Sequence, residues 1–215
     1  MDCSPRIAGR HDRGLTRSLP TSRMFFMEKH SSTKDEIIKS AQELIQTRGY
    51  NGFSYADISA IVGIRKASIH HYFPSKVDLA VEVARRYQET FNKYLLNISI
   101  EKKSWVDKVR AYIKLYEKVL QDDKLCLCGM LASDSAILPS ELKEVLQDFF
   151  SSNVAWLMKV LLSHPATLSQ KRLRQISWQI INSLQGGIMV ARIFSKPKLF
   201  SSACEELIIS LEQAV

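Results

Sequence analysis

Between Arg65 and His71 the chain carries Arg65, Lys66, Ser68, His70 and His71 and no acidic residue. Those side chains suit the binding of a polyanion. Guanidinium and ammonium groups pair with phosphates and base-edge acceptors, and hydroxyl and imidazole groups add hydrogen bonds. A helix over these residues would add free N–H groups and a dipole that also favour phosphate. The flanking residues suggest how the cluster is presented. Gly63 suits the left-handed backbone of a tight turn, and Ile58, Val62, Ile64, Ile69, Tyr72 and Phe73 supply apolar anchors. Lys66 to Phe73 reads as a short helix stopped by Pro74, after another that Ser54 caps. Two short helices across a glycine turn are the minimum of a helix-turn-helix, whose second helix enters a DNA major groove.

Other chemistry is sparse. The four cysteines are Cys3, Cys126, Cys128 and Cys204, and their spacing matches no structural zinc site, so no metal is expected. Nucleophile–base pairs, glycine-rich phosphate loops and cofactor fingerprints are absent from the pattern, so neither a cofactor nor an enzyme is expected. Lys plus Arg number 30 against 22 Asp plus Glu, a formal net charge of +8 that suits an acidic partner. No apolar run has the roughly 18–20 residues that cross a bilayer, and the first thirty residues lack an apolar leader core. These features predict a cytoplasmic protein without a membrane partner.

The elements that must hold the basic cluster read as helices throughout. Thr33 with Glu36 forms a capping-box pair ahead of Ile37, Ile38, Ala41, Leu44 and Ile45, and Gly49 closes that segment. A second short helix carries Ile58, Ile61 and Val62. Ser75 then caps a long helix from Lys76 to about Asn97. Further helices are predicted at Trp105–Gln121, Leu125–Ser135, Ser140–Leu162, Leu168–Phe194 and Phe200–Gln213, giving an all-α chain of about nine helices. Residues 1–30 break this pattern. They are rich in Arg, interrupted by Pro5, Gly9, Gly14 and Pro20, and without period. They read as a disordered basic tail, as an arm toward DNA, or as sequence upstream of a true start at Met24 or Met27. Residues 31–79 are expected to be the DNA-binding module and 80–215 a ligand-binding and dimerisation domain.

The run from Ser54 to Lys76, SYADISAIVGIRKASIHHYFPSK, resembles the TetR/AcrR family of bacterial repressors in its glycine turn, apolar register, aromatic pair and closing Ser-Lys. It departs from the commonest family pattern at Arg65, where a small hydroxyl residue is usual, and at His70, where a phosphate-contacting Tyr is usual. A histidine there would make the contact depend on its protonation. The resemblance implies that Lys76 touches the DNA backbone. It also implies a homodimer on a palindromic double-stranded operator, released by a small-molecule inducer. Cys126 and Cys128 lie in a segment similar to that of family members that sense electrophiles or oxidants through a cysteine. Lys124 beside them would favour a thiolate; the other reading is inert packing.

One reading helix covers few bases, and a symmetric pair would reach successive major grooves. The expected seam is the stripe Ile180, Leu184, Ile188 and Ala191, joined by Ala203, Leu207, Ile208 and Leu211. Gly186 and Gly187 lie inside that helix at a cost of up to about 1 kcal/mol each. Either a partner helix approaches Gly187 closely, or the glycines relieve crowding within one subunit. Tyr112, Tyr116, Met130, Phe149, Phe150, Trp156, Met158, Trp178 and Met189 are candidates to line a ligand pocket, with ordinary core as the other reading. The alternatives to an inducible repressor are an architectural DNA binder without inducer and an enzyme using the helical pocket.

Overall fold

A computed structural model describes residues 32–165 and 167–213; the predicted N-terminal tail lies outside the described residues. Among those residues the chain is helical and strand-free. Its elements are α1 (Thr33–Arg48), α2 (Tyr55–Val62), α3 (Lys66–Tyr72), α4 (Lys76–Glu101), α5 (Trp105–Gln121), α6 (Leu127–Ser133), α7 (Ser140–Leu161), α8 (Gln170–Ile193) and α9 (Pro197–Gln213). No helix among the described residues is long and apolar enough to cross a membrane.

A repeated Ser-x-x-Asp pattern begins four of the helices. Ser54 and Ser75 donate their backbone N–H groups to Asp57 and Asp78 at 2.8 and 2.9 Å, and Ser104 accepts from the N–H of Asp107 at 3.0 Å. The first cap sits one residue before the expected Thr33: Ser32 accepts from the Asp35 N–H at 3.2 Å. Thr33 is already helical, so Asp35 takes the partner's place expected of Glu36. At the other end of the chain α9 begins at Pro197, ahead of the expected Phe200. The fixed φ of proline suits a first helical position, where its missing N–H costs nothing. The expected Leu125–Ser135 helix contracts to α6, because Leu125 instead gives its N–H to the Gln46 carbonyl at 3.2 Å.

Helices α1 to α3 gather around the start of α4, with Ile37, Ala41, Ile45, Ile58, Ile69, Leu79 and Val83 in one continuous core. The remainder of α4 packs on α7, while α8 packs on both α7 and α9. A division at residue 79 therefore falls within one uninterrupted helix. The end of α1 is also tied to the segment around α6. Gln46 donates its amide to the Leu125 carbonyl at 3.0 Å, and Tyr50 donates its N–H to Asp134 at 3.2 Å.

Candidate nucleic-acid interface

Gly63 adopts φ 74° and ψ 27°, the left-handed conformation that lets α2 stop and the chain turn into α3. Ile58 and Ile69 are fully buried and Phe73 nearly so, which pins one side of α3 against the module's core. Tyr55, which the sequence reading passed over, reinforces this arrangement. Its hydroxyl donates to the Phe73 carbonyl at 2.9 Å, and burial pushes the phenol up to about 12. A lone tyrosine beside a cap carries no sequence signal for that role.

With one side of α3 fixed, Arg65, Lys66, Ser68, His70 and His71 are all exposed. The His70 ring meets Tyr55 edge-on at 4.7 Å between centroids, and its Nδ1 lies 3.3 Å from the Pro74 carbonyl. Tyr72 corrects the expected set of anchors: it is 41% exposed and belongs to the outer face. The anchoring falls to Phe73, the next residue, whose side chain turns inward as the helix ends. Nearby acids are engaged elsewhere. Asp57 and Asp78 cap helices, and Asp57 also pairs with Arg48 at 3.5 Å.

Lys76, which the resemblance sets against the DNA backbone, is half-buried at the start of α4. Its ammonium donates to the Phe53 carbonyl at 2.7 Å and lies over the rings of Phe53 and Tyr50, 4.3 and 4.8 Å from their centroids. Burial lowers its pKa. The side chain thus fastens the start of α4 to the loop between α1 and α2.

The sequence model of bacterial regulatory proteins of the tetR family matches residues 37–83, the span that builds this module. A TetR transcriptional regulator from Legionella pneumophila is 31% identical and superposes with a TM-score of 0.79 over 83% of this chain and 97% of its own. This chain belongs to the TetR family. It is a DNA-binding transcriptional regulator, and an enzyme is not the reading its relatives support. The HTH-type transcriptional regulator YxaF of Bacillus subtilis is 26% identical over 170 residues, covering 77% of this chain and 87% of its own. IcaR of Staphylococcus epidermidis, a negative regulator of the biofilm operon icaADBC, is 31% identical over 126 residues, covering 54% of this chain and 62% of its own.

In this TetR-family chain the expected dimer stripe faces inward. Ile180, Leu184, Ile188 and Ala191 are buried within the subunit, as are Leu207, Ile208 and Leu211 of α9. A Cβ on Gly187 would stand 3.0 Å from the Phe200 ring, so this glycine admits α9 of its own chain; a Cβ on Gly186 would meet nothing within 4 Å. The correction has a simple cause. Trp178, Gly186, Met189 and Ile193 form a second stripe on α8, displaced by two residues and hence by about 200° around the axis. Ile193 and Phe194 are 81% and 61% exposed, and Ile209 of α9 is also open.

Of the two readings for the aromatic and Met candidates, pocket or core, several side chains take the second. The rings of Tyr112, Tyr116 and Phe149 are buried with Phe91, and Trp156 stacks on Tyr112 at 5.5 Å. Tyr112 donates to Asn153 at 3.0 Å and lies 3.3 Å from the Tyr116 hydroxyl, while Gln185 donates to Tyr116 at 3.4 Å. These bonds satisfy the hydroxyls internally, and burial pushes both phenols well up. Met130 and Met158 are half-buried, Met189 lies on the open side of α8, and Phe150 with Trp178 borders an open groove beside α6 and α7. Cys126 and Cys128 are buried free thiols. Burial pushes the Cys128 thiol well up, and Lys124, the expected thiolate partner, pairs with Glu43 at 3.5 Å. Tyr87 is the neighbour Cys126 does have, its hydroxyl 3.8 Å from the sulfur. Among the described residues no group of three or more His, Cys, Asp or Glu is placed to hold a metal.

Proposed function

We propose that this regulator is a homodimeric, ligand-responsive repressor that reads a palindromic operator through α3. Arg65, Lys66, Ser68, His70 and His71 make the contacts, with Tyr72 at the end of the same face. Lys76 holds the module in shape and, beside Lys66 and His70, contributes to the contact with the DNA backbone. The observation that carries this reading is the acid-free outer face of α3, exposed along its length while Ile69 anchors the opposite side. A recess of about 380 Å³ between α2 and α3, bordered by Ser54, Ala56, Lys66, His70 and Lys76, is of a kind that accepts a backbone phosphate.

Pairing is assigned to the open stripe of α8 with the outer side of α9, led by Trp178, Gly186, Met189, Ile193, Phe194 and Ile209. So many large apolar side chains in one patch on a soluble chain favour a covering partner, and a twofold pair presents two copies of α3 to one duplex. Division of the chain into a reader at 31–79 and a sensing and pairing domain at 80–215 fits this scheme, with α4 shared between them. Repression is favoured by the similarity to IcaR.

The test begins with selection of bound fragments from the source genome and titration of wild type and Lys66→Ala on the selected site. Loss of about tenfold or more in affinity, with a salt slope reduced by about 1, is expected for a phosphate or base contact. Unchanged affinity in a folded variant would remove α3 from the reading role.

A further inference from the structure

A cavity of about 340 Å³ opens between α1, α4 and α5, beside the aromatic core, with which it shares Phe91. Its volume is at the lower end of the roughly 300–1,000 Å³ range of small-molecule sites. Tyr87, Phe91 and Tyr94 recur at helical spacing on α4 to form one wall, and Leu115 and Val119 of α5 form another. Such walls hold the faces of one or two fused rings. Gln42, Thr90, Lys118 and Lys124 bring hydrogen-bond donors to the lining, against the single acid Asp122. Lys124 is held by Glu43, whereas Lys118 is exposed and has no ion pair among the described residues. The complement of this lining is a flat apolar body with an anionic edge.

We propose that this cavity binds a small aromatic carboxylate, with Lys118 facing the acid group and the α4 aromatics holding the ring. The inference rests on the ligand-responsive reading above and gives it a place and a chemical class. The position of Gln42 and Gln46 makes the site consequential. Both belong to α1 of the DNA-reading module; Gln42 donates to Gln46 at 3.1 Å, and Gln46 is bonded in turn to Leu125 beyond α5. An occupant therefore touches the reader and the remaining helices at once. Any difference in its affinity between DNA-bound and free protein becomes, by linkage, an equal change in operator affinity.

Calorimetric titration of the full chain with 2-naphthoate and with its neutral counterpart 2-naphthamide tests the assignment. Naphthoate is expected to bind about tenfold more tightly than the amide, from one charge-assisted contact. Lys118→Gln should erase that advantage, while Lys114→Gln, one turn away and outside the lining, should preserve it. Saturating operator DNA should alter the naphthoate Kd. Absence of naphthoate binding, equal binding of acid and amide, an advantage that survives Lys118→Gln, or a Kd indifferent to DNA would overturn the proposal. Operator titration of the ligand-free protein runs alongside: intact specific binding there leaves the regulator reading standing when the cavity assignment fails.

Discussion

Helices α3 and α8 pose the same question, which side faces the protein, and their sequences answer it unequally. On α3 apolar and basic residues alternate sharply enough that burying Ile69 leaves only one outer face, the one carrying Lys66 and His70. On α8 two apolar stripes lie on nearly opposite sides, one buried at Ile180 and Leu184 and one open at Met189 and Ile193. A hydrophobic period identifies an amphipathic helix, but it orients the helix only when the opposite side is polar. Where a second surface is also to be covered, composition cannot distinguish the subunit's own core from a seam between subunits.

The largest effect that sharpens this contrast comes from placing a carboxylate on each stripe of α8. Leu184→Asp should unfold the chain, at a cost of more than about 4 kcal/mol for an unpaired buried acid. Ile193→Asp should leave the denaturation midpoint of the subunit near that of wild type and shift sedimentation toward monomer. Equal unfolding by both would erase the distinction between the stripes. On α3 the corresponding pair is Ile69→Ala and Lys66→Ala. The first should cost about 2–5 kcal/mol in chemical denaturation, as truncation of a buried aliphatic does. The second should leave stability unchanged and affect DNA affinity alone.

A smaller effect separates the two glycines. Gly187→Leu drives a side chain toward Phe200 and should destabilise the subunit by about 1–3 kcal/mol through overpacking. Gly186→Leu enters open space, so the subunit should melt no lower, and dimerisation should weaken instead. Reversal of those outcomes would return Gly187 to the seam. The smallest expected effect is at the thiols. Because Cys126 and Cys128 are buried, N-ethylmaleimide should release operator from wild type and Cys126→Ser to the same slight extent. Release confined to wild type would make Cys126 a sensor.

Where one strong local rule acted alone, the fold was legible in the sequence. Gly63, Ser54, Ser75 and the periodic apolar residues announce the helix-turn-helix, and the order of the later helices follows from their prolines and hydrophobic period. What stayed hidden depends on tertiary choice. Nothing local distinguishes Lys76 as a fastener from Lys66 as an exposed cation, because only the fold brings the Phe53 carbonyl to the first. Tyr112 and Tyr116 suit a pocket as well as a core until Asn153 and Gln185 arrive from other helices to satisfy them. The cavity between α1 and α5 joins residues remote in sequence, so no spacing could have disclosed it.

The central claim, that two copies of α3 read one face of a duplex, is tested most directly by a hydroxyl-radical footprint on the genomic fragment bound most tightly. The account predicts two protected patches on the same side of the helix, related by a twofold axis and centred about 34–36 Å apart or a multiple of that spacing. A single patch, or uniform protection independent of sequence, would contradict it.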